Sequence, residues 1–194
     1  ANVYRTHASR FSQALSRLVT AGYSIPGAIV AIGVLVVSLW ADRRADALFA
    51  WAGMGEPPLV ISLSLLMLVM AYVVRFTATG YNAVEAGFEK VGKTYMEVSR
   101  TLGFGMTKTF FRVDLPLIKG ALLSGAILTF VEIVKELPLA LLLRPFNFET
   151  LATRAFRYAH DEMIHEASIP SLLIIAVSMA AVYVLNRLGR ESAQ

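Results

Sequence analysis

The chain contains no cysteine, so a disulfide framework, a thiolate metal site and a cysteine nucleophile are all excluded. It also has little charge, since 16% of its 194 residues are Asp, Glu, Lys or Arg, against about 25% in an average soluble domain. The first residues, Ala1-Asn2-Val3, include neither an initiator methionine nor a signal peptide. We therefore expect a piece of a longer chain. The composition also argues against a soluble cytosolic enzyme.

What the sequence has instead is long runs without a charge. Uncharged runs of 24, 18 and 20 residues lie between Arg17 and Asp42, between Glu56 and Arg75, and between Glu166 and Arg187. A fourth apolar stretch carries Lys119 near one end and Glu132 near the other. Each is long enough to cross about 30 Å of hydrocarbon as a helix. The sequence predicts an all-α membrane domain of about four spans, at about 22–41, 57–74, 115–135 and 167–186.

The distribution of lysine and arginine predicts the orientation of these spans. Four spans leave five exposed stretches, of which the first, third and fifth together hold 12 of the 18 basic residues. Cytoplasmic loops are enriched in basic residues, so both ends of the segment and the loop at 75–114 are predicted to be cytoplasmic. The net charge of +4 is then explained by membrane topology, and no nucleic-acid partner is expected.

One motif matches a nucleotide-binding pattern and is rejected on its context. Residues 87–94 read GFEKVGKT, which fits the phosphate-binding string of Gly, four residues, then Gly-Lys-Ser/Thr. That loop needs a preceding buried strand, which is not predicted here. Instead, apolar residues at helical spacing run through the string: Val84, Phe88, Val91, Tyr95, Val98 and Leu102. The pattern favours a continuous amphipathic helix, in which Gly87 and Gly92 allow close approach and Lys93 can pair with Glu89 or Glu97.

A helix, turn, helix unit is predicted to follow. Gly103 can supply the left-handed turn that ends a helix, and the segment from Met106 to Val113 leads to Asp114-Leu115-Pro116. Pro116 suits the first turn of the next span, where a missing amide costs nothing. Two interpretations remain open on these residues alone: a connecting loop packed on its own domain, or a docking surface for a cytosolic partner.

The spacing in this loop resembles that of the membrane subunits of bacterial ABC importers. Those proteins carry Glu-Ala-Ala, three residues, Gly, nine residues, then Ile, any residue and Leu-Pro. This chain has Glu97-Val98-Ser99, three residues, Gly103, nine residues, then Val113-Asp114-Leu115-Pro116. Every spacing is kept, and Glu97, Gly103, Leu115 and Pro116 carry over directly. Val98 and Ser99 stand where the family has alanines.

The resemblance implies a type I ABC importer transmembrane domain in the bacterial inner membrane. In that family the loop forms coupling helices that sit in a cleft of the ATP-hydrolysing subunit. The residues it assigns to coupling are Glu97, Val98, Ser99, Gly103, Leu115 and Pro116. It also implies that this chain is not an enzyme and binds no cofactor, with ATP and magnesium on the partner ATPase. The other implied partners are a periplasmic substrate-binding protein and a second permease half or chain within the lipid bilayer.

Further stretches resemble the iron(III) branch of these permeases. They are GYSIPG at 22–27, KELP at 135–138 and LRPFNFETLAT at 143–153. Members of that branch commonly carry two homologous halves in one chain, and this segment resembles most of the second, C-terminal half. Ferric iron moved by alternating access is therefore the expected cargo. Permeases for polyamine, thiamine, phosphonate or sulfate share the loop and stay as alternatives. An ion-driven secondary transporter, with Glu132 as its coupling site, is the alternative from another class.

Four charged residues near the outer end of the third span are candidates for the translocation pathway: Glu132, Lys135, Glu136 and Arg144. Glu132 and Glu136 are four apart and are predicted to share a helix face, and hard carboxylates suit a ferric ion. The alternative is an internal Glu-Lys pairing that neutralises a membrane charge, while Arg144 could bind the delivering protein. His160 and His165 lie among acids, where a solvated loop is favoured over a metal site.

Overall fold

A computed structural model of the chain describes residues 10–52, 61–92 and 94–191. In these ranges the chain consists of helices joined by turns and short loops, and it contains no strand. The helices are α1 (Arg10–Ser24), α2 (Gly27–Trp51), α3 (Leu65–Val91), α4 (Thr94–Thr101), α5 (Met106–Thr109), α6 (Leu115–Val134), α7 (Pro138–Leu143), α8 (Leu151–His160) and α9 (Ile164–Glu191), with a π-helical turn at Phe110–Asp114 between α5 and α6. The predicted all-α class is confirmed.

Three helical runs of the described residues are long and apolar enough to cross a membrane. They are Leu65–Val91, Met106–Val134 and Ile164–Arg187. The pair Gln13–Ser24 and Gly27–Trp51 is bent by 116° and makes a fourth span if it is counted as one. The break falls at Ile25-Pro26, because proline has no amide to continue the helix of the preceding residues.

The helices differ in extent from the predicted spans. The predicted first span, 22–41, contains the break at Ile25-Pro26, and α2 continues to Trp51. Of the second, 57–74, residues 57–60 lie outside the described ranges, while α3 begins at Leu65 and runs on to Val91, well into the predicted loop at 75–114. A charged side chain ends an apolar run but not a helix, since Arg and Glu are good helix formers.

The chain divides into two compact units, and residues 10–21, 77–131 and 179–191 form the first among the described residues. Within it α3 and α6 approach closely through small residues. A Cβ built on Gly87 would lie 2.5 Å from the Cβ of Ala121, and one on Gly125 would lie 2.8 Å from that of Ala83. Small residues are the usual means by which membrane helices come close together. The close approach predicted at Gly87 is therefore confirmed.

The second unit comprises residues 22–76 and 132–178. Its core is formed by apolar side chains of α2, α3 and the short helix α7: Val30, Ala31, Met67, Leu68, Ala71, Phe76, Leu139, Ala140 and Leu143. Asp42, which is buried in α2, accepts hydrogen bonds from the amides of Ile61 (3.2 Å) and Ser62 (2.8 Å). This carboxylate therefore fixes the turn that leads into α3.

The helix predicted to run without a break from Val84 to Leu102 is interrupted. Gly92 has a φ of +70°, and its amide donates to the carbonyl of Phe88 at 3.1 Å, so it ends α3. A Cβ on Gly92 would meet nothing within 4 Å. The expected close approach at this position is wrong, because the glycine is needed for its backbone conformation. Lys93, with its predicted pairs, lies outside the described residues.

Pro116 is the second residue of α6 and so lies in the first turn of that helix, as predicted, but the helical run itself begins earlier. Helical structure is continuous from Met106 to Val134, so Pro116 lies inside this run. The π turn comes directly before it, and the amide of Leu115 donates to the carbonyl of Phe110, five residues back. A proline ring clashes with the carbonyl four residues earlier, and the wider π turn accommodates that clash at Arg112.

Candidate functional site

Residues 94–116 fold as two short helices joined by a tight turn. Gly103 has a φ of +78°, and its amide donates to the carbonyl of Arg100 at 3.0 Å. The next amide, of Phe104, donates to the carbonyl of Ser99 at 3.1 Å. These two bonds form the Schellman motif, which ends a helix at a left-handed glycine. The predicted role of Gly103 as the stop of this helix is confirmed.

The two faces of α4 have different surroundings. Met96 and Ser99 are buried, and the Ser99 hydroxyl lies 2.8 Å from that of Thr109 in a buried hydrogen bond between α4 and α5. Tyr95 and Val98 are exposed on the other face. Ser99 therefore adds a polar tie between α4 and α5, and Val98 adds apolar surface outward.

The structure shows how this segment lies against its own unit. One face packs on its own unit, and the other is free of the described chain. Glu97 is exposed, and none of the ion pairs within the described ranges involves it. Leu115 is half-buried and Pro116 is exposed. The residues assigned to coupling thus fall into an inner group, with Ser99, and an outer group, with Glu97 and Val98.

A charged cluster in the second unit joins three elements. Arg75, in the middle of α3, has its Nε 3.5 Å from Oε2 of Glu136, and the two side chains are 18% and 9% exposed. Arg75 Nη1 also donates to the carbonyl of Ile25 at 2.9 Å, just before α2. Oε1 of Glu136 accepts from the amide of Leu139 at 3.3 Å, at the start of α7. The start of α2, α3 and the start of α7 are thus tied together.

Gly27 allows this cluster to form. A Cβ at this position would lie 3.0 Å from Oε1 of Glu136 and 3.2 Å from Nη1 of Arg75. Both contacts are tighter than an ordinary van der Waals separation of about 3.5–4.0 Å. An alanine at residue 27 would therefore force the side chains of the ion pair to shift by a few tenths of an ångström.

Glu132 and Glu136 do not share a helix face, contrary to the prediction. Helix α6 ends at Val134, so Glu136 falls in the turn beyond it. Glu132 instead has Lys135 Nζ at 2.8 Å, in a pair that is largely open to the surroundings. The helix ends early because Pro138 begins a new helix at its first position. Each carboxylate therefore has its own cation, as in the alternative of internal pairing.

Arg144 belongs to a separate arrangement around Glu149. Glu149 Oε1 lies 3.5 Å from Arg144 Nη1 and 3.0 Å from Arg157 Nη1. Arg144 also donates to the carbonyl of Phe148 at 3.0 Å. These contacts fold the 144–149 stretch onto α8. The residues LRPFNFET, which carry part of the resemblance, thus form a self-contained loop before that helix.

Helix α8 presents basic residues outward. It starts at a capping box, in which Thr150 and Thr153 each accept from the other's backbone amide. Arg154 Nη2 donates to the Tyr158 hydroxyl at 3.4 Å. This hydrogen bond, and the positive charge that comes with it, lower the pKa of Tyr158 below its ordinary value. Arg154 and Arg157 are both exposed, so the helix carries a cationic outer surface.

The two histidines lie apart from any ligand set. His160 ends α8 and stacks on Phe156, with ring centroids 6.0 Å apart, while His165 lies in the first turn of α9. Within the described ranges no group of three or more His, Asp or Glu side chains is placed to hold a metal ion.

The sequence predicts that a loop begins at Arg75, whereas the structure places Arg75 inside a helix. It is the eleventh of the 27 residues of α3. An available signal was the apolar spacing that resumes at Val84 and Phe88, which indicates that the helix continues past Arg75.

Comparison with known proteins shows which family the chain belongs to. Residues 3–190 match the family described as "Binding-protein-dependent transport system inner membrane component". The chain is 31% identical over 109 residues to the molybdate/tungstate transport system permease protein of Methanocaldococcus jannaschii, covering 56% of this chain and 43% of that protein. It is 24% identical over 166 residues to an Fe(3+)-transport system permease protein of Haemophilus influenzae, covering 78% and 32%. The corresponding molybdate/tungstate protein of Pyrococcus abyssi is 26% identical over 105 residues, covering 54% and 42%.

The chain spans less than half the length of these curated relatives. The family match covers nearly all of it, from residue 3 to residue 190. The helices that are long enough to cross a membrane agree with that match. The chain belongs to the inner-membrane components of binding-protein-dependent transport systems, the permeases of type I ABC importers.

Proposed function

We propose that the chain forms part of the membrane pathway of an ATP-driven importer, with ATP and magnesium bound by a separate cytosolic subunit. Family membership supports this proposal, and the observation that carries it is the two-faced α4. One face is tied to its own unit through Ser99 and Thr109, and the other is free to contact a partner.

The free face of α4 has the chemistry of a protein interface. Tyr95, Val98 and Leu102 are three and four residues apart and are 55%, 53% and 69% exposed, so they form one apolar stripe. Covering the exposed part of each side chain favours association through the hydrophobic effect. An exposed apolar stripe with polar neighbours is typical of a docking site. The ATPase subunit is the proposed occupant, and the exposed Glu97, on another side of α4, adds a charge that the same subunit can contact.

Alternating access is the proposed mechanism. A binding protein delivers cargo to the outer side, ATP closes the two ATPase subunits, and their movement displaces α4 and α5. The displacement reaches the spans through α6, since helical structure is continuous from Met106 to Val134. Both ends of the segment face the bacterial cytoplasm in this proposal. A second permease half or chain completes the pathway.

Ferric iron is the first proposed cargo. The Fe(3+) permease relative aligns with 78% of the chain, and Glu132 and Glu136 supply hard oxygen ligands. Both carboxylates are countered by cations, so iron would have to displace Lys135 or Arg75 in a transient contact. Weak binding suits a pathway, because cargo must leave as well as enter.

Molybdate or tungstate is the second proposed cargo. The relatives that transport these oxyanions reach 31% identity over a shorter stretch. An oxyanion would be drawn to Arg75 and Lys135 in place of their carboxylate partners. The two ion pairs therefore offer carboxylates to a cationic cargo and basic groups to an anionic one. Only a transport measurement distinguishes the two cargoes.

The test is uptake by the full-length transporter with its ATPase and binding protein in proteoliposomes, using labelled ferric iron and labelled molybdate in parallel. Glu97→Arg should abolish uptake of the true cargo with the protein still in the membrane. Glu89→Arg is the matched control, because Glu89 is equally exposed but lies on α3. A partner ATPase that cannot hydrolyse ATP should abolish uptake in the same way as Glu97→Arg.

Three outcomes would contradict the proposal in different ways. Unchanged uptake in Glu97→Arg would remove the coupling role of α4. Uptake that persists without the ATPase and collapses with the ion gradient would favour a secondary transporter. Failure to move either ion would remove both cargoes, and polyamine, thiamine, phosphonate and sulfate would be tested next in the same vesicles.

A further inference from the structure

Helix α1 is held on one side and open on the other. The Tyr81 hydroxyl donates to the Ser16 hydroxyl at 2.9 Å within the first unit, and Val19 and Thr20 are half-buried on the same side. Phe11, Leu15 and Leu18 are 77%, 53% and 70% exposed. These three residues are four and three apart, so they form a single apolar stripe along the helix.

The charge of α1 is entirely of one sign. Arg10 and Arg17 are exposed and seven residues apart, which places them along one edge of the helix. The sequence has no Asp or Glu before Asp42. An apolar stripe beside a row of arginines is the pattern of a helix that lies on a membrane surface. The positive charge complements an anionic lipid headgroup.

The length of α2 calls for such an arrangement. Its uncharged part, Gly27 to Ala41, has 15 residues, which rise about 22 Å as a helix. That falls short of the roughly 30 Å hydrocarbon core of a bilayer. A surface helix sinks about 5–10 Å into the boundary between headgroups and acyl chains. If α1 lies at that depth, α2 begins inside the core and its short apolar stretch suffices.

We infer that α1 is an in-plane anchor, which inserts Phe11, Leu15 and Leu18 into the acyl boundary of an anionic leaflet while Arg10 and Arg17 bind its headgroups. The inference goes beyond the transport function, since it holds for any cargo. It needs only that the chain is in a membrane. Its failure would leave the coupling and cargo proposals untouched.

The test is site-directed spin labelling of the full-length transporter in nanodiscs. The segment has no cysteine, and any cysteine elsewhere in the transporter is replaced by serine. Single cysteines are placed at Leu15, at Leu18 and at Gln13, an exposed α1 residue outside the stripe. Collision rates with oxygen, which partitions into lipid, and with a polar nickel chelate are measured in phosphatidylcholine alone and with added phosphatidylglycerol.

We expect the ratio of oxygen to nickel collision rates to be higher at Leu15 and Leu18 than at Gln13. Phosphatidylglycerol should raise the two stripe ratios further, and Arg10→Gln with Arg17→Gln should cancel that increase. Equal nickel access at all three sites would place the stripe in water and overturn the inference. Protection of the stripe from both reagents would show that protein covers it, with the same consequence. A stripe ratio independent of phosphatidylglycerol would overturn the headgroup contact.

Discussion

Gly87 sets the distance between α3 and α6, and a single methyl group tests this. A Cβ at residue 87 would lie 2.5 Å from the Cβ of Ala121, about 1 Å inside ordinary carbon contact. Overpacking of this kind costs about 1–3 kcal/mol, while replacing a glycine inside a helix returns up to about 1 kcal/mol. We expect Gly87→Ala to lower stability by about 1–2 kcal/mol net. That corresponds to about 2–8 °C in the unfolding temperature of a chain this size.

The assay is the fraction of monodisperse detergent-solubilised protein that survives heating, followed by size-exclusion chromatography. Adding Ala121→Gly should restore stability, since it removes the clash and exchanges one helical glycine for another. Gly33→Ala is the control, because a Cβ there meets nothing within 4 Å, and it should leave stability unchanged or slightly raised. If Gly87→Ala behaves as Gly33→Ala does, or if Ala121→Gly fails to rescue it, the close packing of α3 on α6 is refuted.

Three further predictions use the same thermal assay. Arg75→Ala leaves the Glu136 carboxylate buried without its cation and should lower stability by about 3–5 kcal/mol. The double variant Arg75→Ala with Glu136→Gln should lose less stability, and equal losses in the two would contradict the ion pair. Ser99→Ala leaves the Thr109 hydroxyl buried without its partner and should lower stability by about 1–3 kcal/mol. Adding Thr109→Val to it should lower stability little further, whereas fully additive losses would argue against the hydrogen bond. Thr150→Ala removes the N-cap of α8 and should lower stability by about 1 kcal/mol, while Thr150→Ser, which keeps the hydroxyl, should be tolerated. Similar losses of stability in both variants would exclude a capping role.

Features that depend on neighbouring residues were predictable from the sequence. Low charge and long uncharged runs indicated membrane helices, and these are properties of composition. Gly103 follows a helical pattern directly, so its left-handed turn could be predicted from local rules. The spacing from Glu97 to Pro116 identified the family. For the same reason the nucleotide-binding string at 87–94 could be rejected, since Gly87 falls within an apolar helical pattern.

Features that depend on contacts between residues far apart in sequence could not be predicted. Arg75 looks like the end of a span until Glu136 is placed against it, and these residues are 61 positions apart in sequence. Gly92 sits in a helical pattern that continues on both sides, so nothing nearby distinguishes a stop from a close approach. The helix face expected for Glu132 and Glu136 depended on where α6 ends, and helix ends are the least certain feature of a sequence prediction.

The two positive-φ glycines have a mechanical consequence. Gly92 precedes α4 and Gly103 follows it, and a Cβ built on either glycine would meet nothing within 4 Å. Between α3 and α6, by contrast, the helices are in near contact at Gly87 and Gly125. We therefore expect α4 to shift more easily against the rest of the first unit than α3 shifts against α6. A shift of α4 would reach α5 through the hydrogen bond between Ser99 and Thr109.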